Sequence, residues 1–173
     1  MGSMKNLLRV GALLTFPLMT FAEDFQISVE RKKTFMPEKG GKSEKGIERS
    51  NHRWRGEIKI ENKMKTPSSE LVAKYIIFVT RQNLGQKARG DAFEQVKGTA
   101  TVPAINKMEV TSVSTEEVTL HQSHVSQGFY LAKGGQAITS DSITGIWVKL
   151  FSGEKEVADY TNPPSLKARF KFE

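Results

Sequence analysis

The chain has 173 residues, with 26 Lys and Arg against 19 Asp and Glu, and it contains no cysteine. The lack of cysteine excludes disulfides, a lipoprotein signal and zinc held by thiolates. A domain of this length buries roughly two thirds of its unfolded surface, so its core can hold it together without cross-links.

The first 22 residues are predicted to be a secretory signal peptide. Lys5 and Arg9 precede an apolar run, and Thr20-Phe21-Ala22 supplies the small residues that cleavage after Ala22 requires. The Met-Gly-Ser ahead of Met4 is a cloning scar or a misplaced start. Export with cleavage leaves residues 23–173 as a single domain.

An uncleaved membrane anchor is the alternative reading of this segment. Its apolar run is shorter than the roughly 20 residues that span a bilayer, and Pro17 interrupts it. We therefore expect an exported protein that is periplasmic, outer-membrane-associated or extracellular. Contact with a membrane is expected only through an uncleaved signal segment.

The positive charge is concentrated in residues 31–65, which hold twelve Lys and Arg against five Asp and Glu. Within this stretch, residues 32–50 are rich in Lys, Gly and Glu, which predicts a basic mobile loop. Its cations are Lys32, Lys33, Lys39, Lys42, Lys45 and Arg49. They form either a solvated surface or a site for anionic polymers such as sulfated or sialylated glycans. Nucleic acid is not expected, because the loop lacks interleaved aromatic residues.

Alternation of apolar and polar residues predicts strands through the rest of the chain. In residues 53–62, Trp54, Ile58 and Ile60 share one face and charged residues share the other. Residues 71–80 are apolar on nearly both faces, which predicts a central strand covered on both sides. Further strands are predicted at 24–30, 92–102, 106–113, 116–122, 128–132, 145–151 and 155–160.

The C-terminal stretch SLKARFKFE alternates most regularly, with Leu166, Ala168, Phe170 and Phe172 on one face. A period of two predicts a final strand. A hairpin is predicted around Ser152-Gly153-Glu154, with Gly153 providing a positive φ. Pro163 and Pro164 interrupt pairing before the final strand.

A helix start is predicted only in residues 66–71, with Thr66 as N-cap and Pro67 at the first helical position. The next strand leaves room for about one turn. The pattern indicates an all-β protein, an antiparallel β-sandwich of immunoglobulin-like kind with about seven to nine strands, or alternatively a small barrel.

Two polar turns carry motifs of interest. One is Lys133-Gly134-Gly135, and the other runs from Leu84 to Asp91 and contains Arg89-Gly90-Asp91. Exposed on a loop, this tripeptide can be an adhesion signal. The turn explains the last two residues locally, since Gly adopts positive φ and Asp caps its own backbone. We interpret the tripeptide as a hairpin turn.

No residue pattern predicts catalysis, a cofactor or a metal. Residues 38–43 resemble the end of a phosphate-binding loop, but Met36 stands where that motif requires glycine. His121 and His124 have helical metal-ligand spacing, yet on a strand a separation of three puts them on opposite faces. The third histidine is His52. Catalytic, cofactor and metal residues are thus predicted to be none, and binding residues are not identified.

The tryptophans, Trp54 and Trp147, lie in alternating strands. Exposed, they would form a platform for stacking sugars. We expect them in the core, because aromatic residues on the apolar face of a strand pack inward.

The runs "GIWVKLFSGEKEVADYTNPPSL" and "WRGEIKIENKMKTPSSELVAKYIIFV" resemble small exported immunoglobulin-like β-sandwich proteins of bacterial envelopes, some associated with type IV pilus gene clusters. The resemblance implies a surface or periplasmic accessory role. It rests on strand and turn residues, which report fold and not activity.

Three functions follow. The first is a non-catalytic binding or structural module of the envelope, linked to pilus or surface assembly, whose exposed final strand could accept a partner strand. The second is a carbohydrate-binding module for anionic glycans. The third is a β-sandwich hydrolase, which would need two carboxylates across a cleft. The expected partner is an envelope protein or an anionic glycan.

Overall fold

A computed structural model of the protein describes residues 24–38, 46–82, 93–131 and 137–172. These residues form nine strands and one helical turn. The strands of the first half are β1 (Phe25–Glu38), β2 (Ile47–Asn62), β3 (Leu71–Thr80), β4 (Phe93–Val102) and β5 (Val110–Ser114). The second half contributes β6 (Val118–Val125), β7 (Ile138–Ser140), β8 (Ser142–Ser152), β9 (Lys155–Asn162) and α1 (Leu166–Arg169).

The strands form two antiparallel sheets. Sheet A has the order β1-β2-β6-β7, and β5 pairs with the C-terminal half of β2 beside β6. Sheet B has the order β4-β3-β8-β9. The prediction of an all-β antiparallel sandwich of about seven to nine strands is confirmed.

The core lies between the inner faces of the two sheets, as the alternation predicts. Sheet A contributes Trp54, Ile58 and Ile60, of which the two isoleucines are fully buried. Sheet B contributes inner-face residues of β3 and β8, namely Leu71, Ala73, Tyr75, Ile77, Val79, Ile146, Val148 and Leu150. At roughly 25 cal/mol per Å² of apolar surface, this burial is the main stabilising contribution in a chain without cross-links.

Strand β3 is covered on its outer face as well, which confirms that it is central. Ile76 and Phe78 point away from the core and pack with Trp147 and Leu166 in a second apolar cluster. The cover over them is the C-terminal segment, residues 163–172. Its Phe170 ring centroid lies 4.8 Å from that of Phe78.

The predicted final strand is therefore wrong. Residues 166–169 form the helical turn α1, and residues 170–172 pair with no strand among the described residues. Leu166 and Phe170 are four apart, so one helical turn also puts them on the same side. Ala168, which a strand would have buried, is exposed.

The helical turn predicted at residues 66–71 is also wrong, because this stretch is irregular and leads into β3. The buried Asn62 organises it. Its Nδ2 donates to the carbonyls of Thr66, Ile105 and Asn106, and its Oδ1 accepts from the N–H of Met64. The Asn62 side chain thus connects this stretch to residues 105–106 through hydrogen bonds to backbone groups.

Several strand boundaries differ from prediction. β1 extends to Glu38 and β2 begins at Ile47, so most of the loop predicted at 32–50 belongs to these two strands. Thr34 of β1 lies opposite Arg53 of β2, and residues 47–50 of β2 pair with β6. Residues 128–131 form no strand, while β7 was not predicted.

The β8–β9 hairpin is confirmed, with Gly153 at φ +60°. The predicted signal peptide, Arg89-Gly90-Asp91 and Lys133-Gly134-Gly135 lie outside the described residues. In the part of the chain that is described, no helix has the length and apolarity to cross a bilayer.

Candidate functional site

A polar depression of about 600 Å³ lies on sheet A, beside the end of β3. It is lined by Ile47, Arg49, Asn51, Arg81, Gln82, His121, Ser123 and Asp141. We call it the Asp141 depression.

The β2–β6 register builds its floor. Asn51 lies opposite His121, and Arg49 lies opposite Ser123. By strand alternation these four side chains project on the side of sheet A opposite Trp54. His121 Nδ1 donates to Asn51 Oδ1 at 2.8 Å, which fixes both side chains and leaves the imidazole Nε2 available to a ligand.

Asp141 lies where β7 ends, and its side chain is only 3% exposed. Oδ2 accepts from the N–H of His121 at 2.9 Å and from Arg81 Nη1 at 2.7 Å, and Oδ1 accepts from the N–H of Gln82 at 3.1 Å. Burial alone would raise the pKa of Asp141. The N–H of His121, the Arg81 guanidinium and the N–H of Gln82 outweigh burial and lower this pKa below its ordinary value.

Arg81 joins the two sheets. The residue directly follows β3 of sheet B in the chain. Its Nη1 donates to the Thr119 carbonyl on β6 of sheet A at 2.7 Å. Nε donates to Glu94 Oε2 at 2.5 Å, and this hydrogen bond lowers the pKa of Glu94. Glu94 and Asp141 in turn raise the pKa of Arg81, so the guanidinium stays charged. Arg81 thus connects four elements at the wall of the depression.

The groups left for a ligand are mostly hydrogen-bond donors. Within the described residues, neither Arg49 nor Ser123 makes a side-chain hydrogen bond or ion pair. Asn51 keeps its amide Nδ2, since its Oδ1 is occupied by His121. A guanidinium beside an amide and a hydroxyl matches a carboxylate, which accepts two parallel hydrogen bonds from arginine.

Of the basic residues singled out in the sequence, Arg49 is the one that lines this depression. Lys32 and Lys33 lie in β1, while Lys39, Lys42 and Lys45 fall outside the described residues. The basic segment 32–50 therefore contributes to this depression through Arg49, which lies on strand β2.

The histidines are separated as the strand spacing predicts. His121 lies opposite Asn51, while His124 Nε2 lies 3.1 Å from Glu48 Oε2. His52 Nε2 lies 3.1 Å from Gln122 Oε1. The described ranges contain no group of three metal-ligating side chains.

Both tryptophans are buried, so they form no sugar-stacking platform. Trp54 packs in the core between the sheets, as predicted, whereas Trp147 is buried in the second cluster on the outer face of sheet B. Trp54 is 5% exposed between the sheets. Trp147 is 6% exposed under the C-terminal segment, and its Nε1 donates to Asp159 Oδ1 at 2.7 Å.

Sequence reasoning missed Arg81, Gln82 and Asp141. No local pattern marks them, because Arg81 and Asp141 meet across 60 positions of the chain. The sequence contains only a weak signal for them. Arg81 directly follows the apolar strand β3, and Asp141 separates β7 from β8.

No protein-family model matches this chain, and no curated protein matches it at a significant level. Among solved structures, a Bordetella pertussis protein provisionally assigned as ApaA is 11% identical with a TM-score of 0.37, covering 80% of this chain and 91% of that one. A structure from Akkermansia muciniphila is 10% identical with a TM-score of 0.35, covering 86% and 78%. These scores identify neither an immunoglobulin-like nor a pilus-associated family.

Proposed function

We propose that this protein is a non-catalytic, exported binding module of the bacterial cell envelope. Its Asp141 depression takes the carboxylate of an acidic ligand, such as the sugar acid of an anionic glycan. The observation that carries this proposal is the cluster of donors from Arg49, Asn51 and Ser123 above the buried Asp141. A pocket with a few convergent polar groups on rigid strands is the usual form of a small-ligand site.

The carboxylates near the depression support binding over catalysis. Asp141 accepts from three donors, and Glu94 is held by Arg81. A general acid or base needs a carboxyl group that can exchange a proton near neutral pH, whereas both of these pKa values are lowered. The hydrolase alternative stays a prediction, which turnover of glycan substrates would test.

The ligand proposal is tested by titrating the protein with glucuronate and with N-acetylneuraminate at low salt. Amide shifts in ¹H–¹⁵N spectra should appear at Asn51, His121 and Ser123. Glucose, which differs from glucuronate in having a CH2OH group in place of the carboxylate, should produce none. Arg49→Gln should weaken binding at least tenfold, the loss of about 1.4 kcal/mol or more that an arginine–carboxylate pair supplies.

Arg31→Gln is the matched control, because Arg31 is an exposed arginine on β1 outside the depression. It should bind like the unchanged protein. Equal weakening by both variants would mean that net charge alone attracts the anion. Absence of shifts with either sugar acid would remove the carboxylate site.

A second candidate role is an accessory to pilus or surface assembly through strand addition. In the described residues β4 pairs with β3 alone, and its other edge carries unpaired backbone groups over ten residues. Such an edge accepts an extended partner segment. The free edge of β4 is therefore the proposed acceptor of a partner strand. The C-terminal segment does not have this role, because residues 166–172 do not form a strand.

A photo-crosslinking residue at Gln95 or Thr101, both exposed on β4, should capture one discrete envelope protein in cells that express the full chain. The same residue at Lys107, in the exposed turn after β4, serves as the control. Identical adducts from all three positions, or none from β4, would exclude the edge as a partner surface.

A further inference from the structure

A second groove, of about 480 Å³, lies on the outer face of sheet B and is independent of the Asp141 depression. Its polar wall contains Lys74, Lys97, Lys149 and Thr99. Its apolar wall contains Phe151 and Phe172, the latter from the C-terminal segment. Neither the sequence patterns nor the proposed function assigns it a role.

The β-sheet register concentrates positive charge in this groove. Lys74 lies directly opposite Lys149, and Lys97 lies opposite Ile76, one diagonal step from Lys74 on the same face. Side chains directly opposite on antiparallel strands are about 5 Å apart at Cβ, and like charges there are destabilising. The fold therefore tolerates an unfavourable lysine pair at this position.

Acidic side chains only partly relieve this charge. Lys149 Nζ lies 2.7 Å from Glu156 Oε2. Lys74 and Lys97 have no ion pair within the described residues. Lys74 Nζ instead lies 5.0 Å from the centroid of the Phe151 ring, and Lys149 Nζ lies 5.2 Å from that of Phe172. The ammonium groups of Lys74 and Lys97 thus remain for an anion, and that of Lys74 lies over the Phe151 ring.

We propose that this groove binds a phosphate group attached to an apolar body. Lysine ammonium groups act as point charges for phosphate, and the Thr99 hydroxyl can donate to a phosphate oxygen. The Phe151 and Phe172 rings provide the surface against which the apolar part packs. Bound phosphate would neutralise the repulsion between Lys74 and Lys149, so the ligand stabilises the folded state.

This chemistry has two sources: a lipid headgroup in a bilayer and a soluble phosphate-bearing amphiphile. Three probes separate them, namely short-chain dihexanoyl-phosphatidylglycerol below its micelle concentration, vesicles of phosphatidylglycerol, and inorganic phosphate. Dihexanoyl-phosphatidylglycerol should bind at least tenfold more tightly than inorganic phosphate. Equal affinities would overturn the role of the aromatic wall.

The vesicles identify the source. Sedimentation with phosphatidylglycerol vesicles and not with phosphatidylcholine vesicles supports a lipid in its bilayer. Binding of the short-chain probe without vesicle sedimentation supports a soluble amphiphile. If neither probe binds, the proposal is wrong.

The double variant Lys74→Gln/Lys97→Gln should weaken binding of the short-chain probe at least tenfold. Its matched control is Lys65→Gln/Lys107→Gln, which removes the same charge from exposed lysines outside the groove. Equal weakening by both double variants would show nonspecific attraction and overturn the site. Misfolding is not expected, since the first variant removes a like-charge contact, and an unchanged melting temperature checks this.

Arg49→Gln should leave this binding unchanged. With that result, the proposal of phosphate binding in the groove and the proposal of carboxylate binding in the Asp141 depression can be confirmed or rejected separately. Phe172→Ala should weaken the binding of dihexanoyl-phosphatidylglycerol at least threefold and should leave the binding of inorganic phosphate almost unchanged. A loss of both to the same extent would contradict the division into polar and apolar walls.

Discussion

The hydroxyl of Tyr75 accepts a hydrogen bond from the backbone N–H of Glu116 at 2.8 Å, which connects sheet B to the β5–β6 junction of sheet A. Tyr75 is 2% exposed, and burial raises the pKa of its phenol. The N–H of Glu116 is one of the groups left without a ladder partner where β5 ends and β6 has not begun. A side chain from the opposite sheet satisfies it.

Tyr75→Phe should lower the free energy of unfolding by about 1 to 2 kcal/mol, because it leaves a part-buried N–H without an acceptor while the ring still fills its space. Urea denaturation followed by far-UV circular dichroism measures this. Tyr130→Phe is the control, since Tyr130 is 94% exposed and should change little. Equal effects would contradict the bridging role.

Asp141→Asn should reduce the stability of the folded protein at neutral pH. It should also make the melting temperature depend less steeply on pH in the acidic range. The pKa of Asp141 is lowered in the folded state, so its contribution is present above the ordinary carboxyl pKa of about 4 and is lost as pH falls through the folded value. Melting temperatures between pH 2 and pH 7 measure the slope. Glu154→Gln, at the exposed β8–β9 turn, should keep the original slope. Parallel curves for the Asp141 variant and the unchanged protein would contradict this account.

Asn62→Ala should cost about 1 to 3 kcal/mol of unfolding free energy, because the Thr66 carbonyl and the Met64 N–H lose their hydrogen-bond partner. The carbonyls of Ile105 and Asn106 lose one of two donors and keep the backbone N–H groups of Ser68 and Glu109. Asn62→Asp should be at least as damaging, since a carboxylate cannot donate to those carbonyls. Denaturant titration measures both, with the exposed Gln127→Ala as the control. A near-neutral Asn62→Ala would show that water replaces the amide.

Gly145→Ala should destabilise the protein by about 1 to 3 kcal/mol through overpacking. A Cβ there would lie 2.7 Å from the Asn162 carbonyl oxygen and 2.5 Å from Leu166 Cδ1. Differential scanning calorimetry should show the loss, and Ser142→Ala, at an exposed position on the same strand, should not. An unchanged melting temperature would mean that the C-terminal segment moves away freely.

Local pattern was sufficient for most of the strands. β3 was predicted to the residue, and the β8–β9 hairpin was located by Gly153, because alternation and turn residues act between neighbours in the chain. The missed β7 has three residues, too few for a period of two to show. The strand wrongly predicted at residues 166–172 has the same cause, a segment too short for its pattern to be decisive. Leu166 and Phe170 are four residues apart, which puts them on the same side of a strand and also of a helical turn.

The sequence by itself determined the all-β class, the central position of β3 and the inward packing of Trp54, because burial of apolar side chains on a pleated strand is a local rule. Only the tertiary structure decided what the outer faces carry. The Asp141 depression and the lysine groove each join residues from separate strands, and the C-terminal segment covers sheet B because an apolar patch was left there to bury. Such contacts depend on register and on the order of strands in the sheets, which no single stretch of sequence contains.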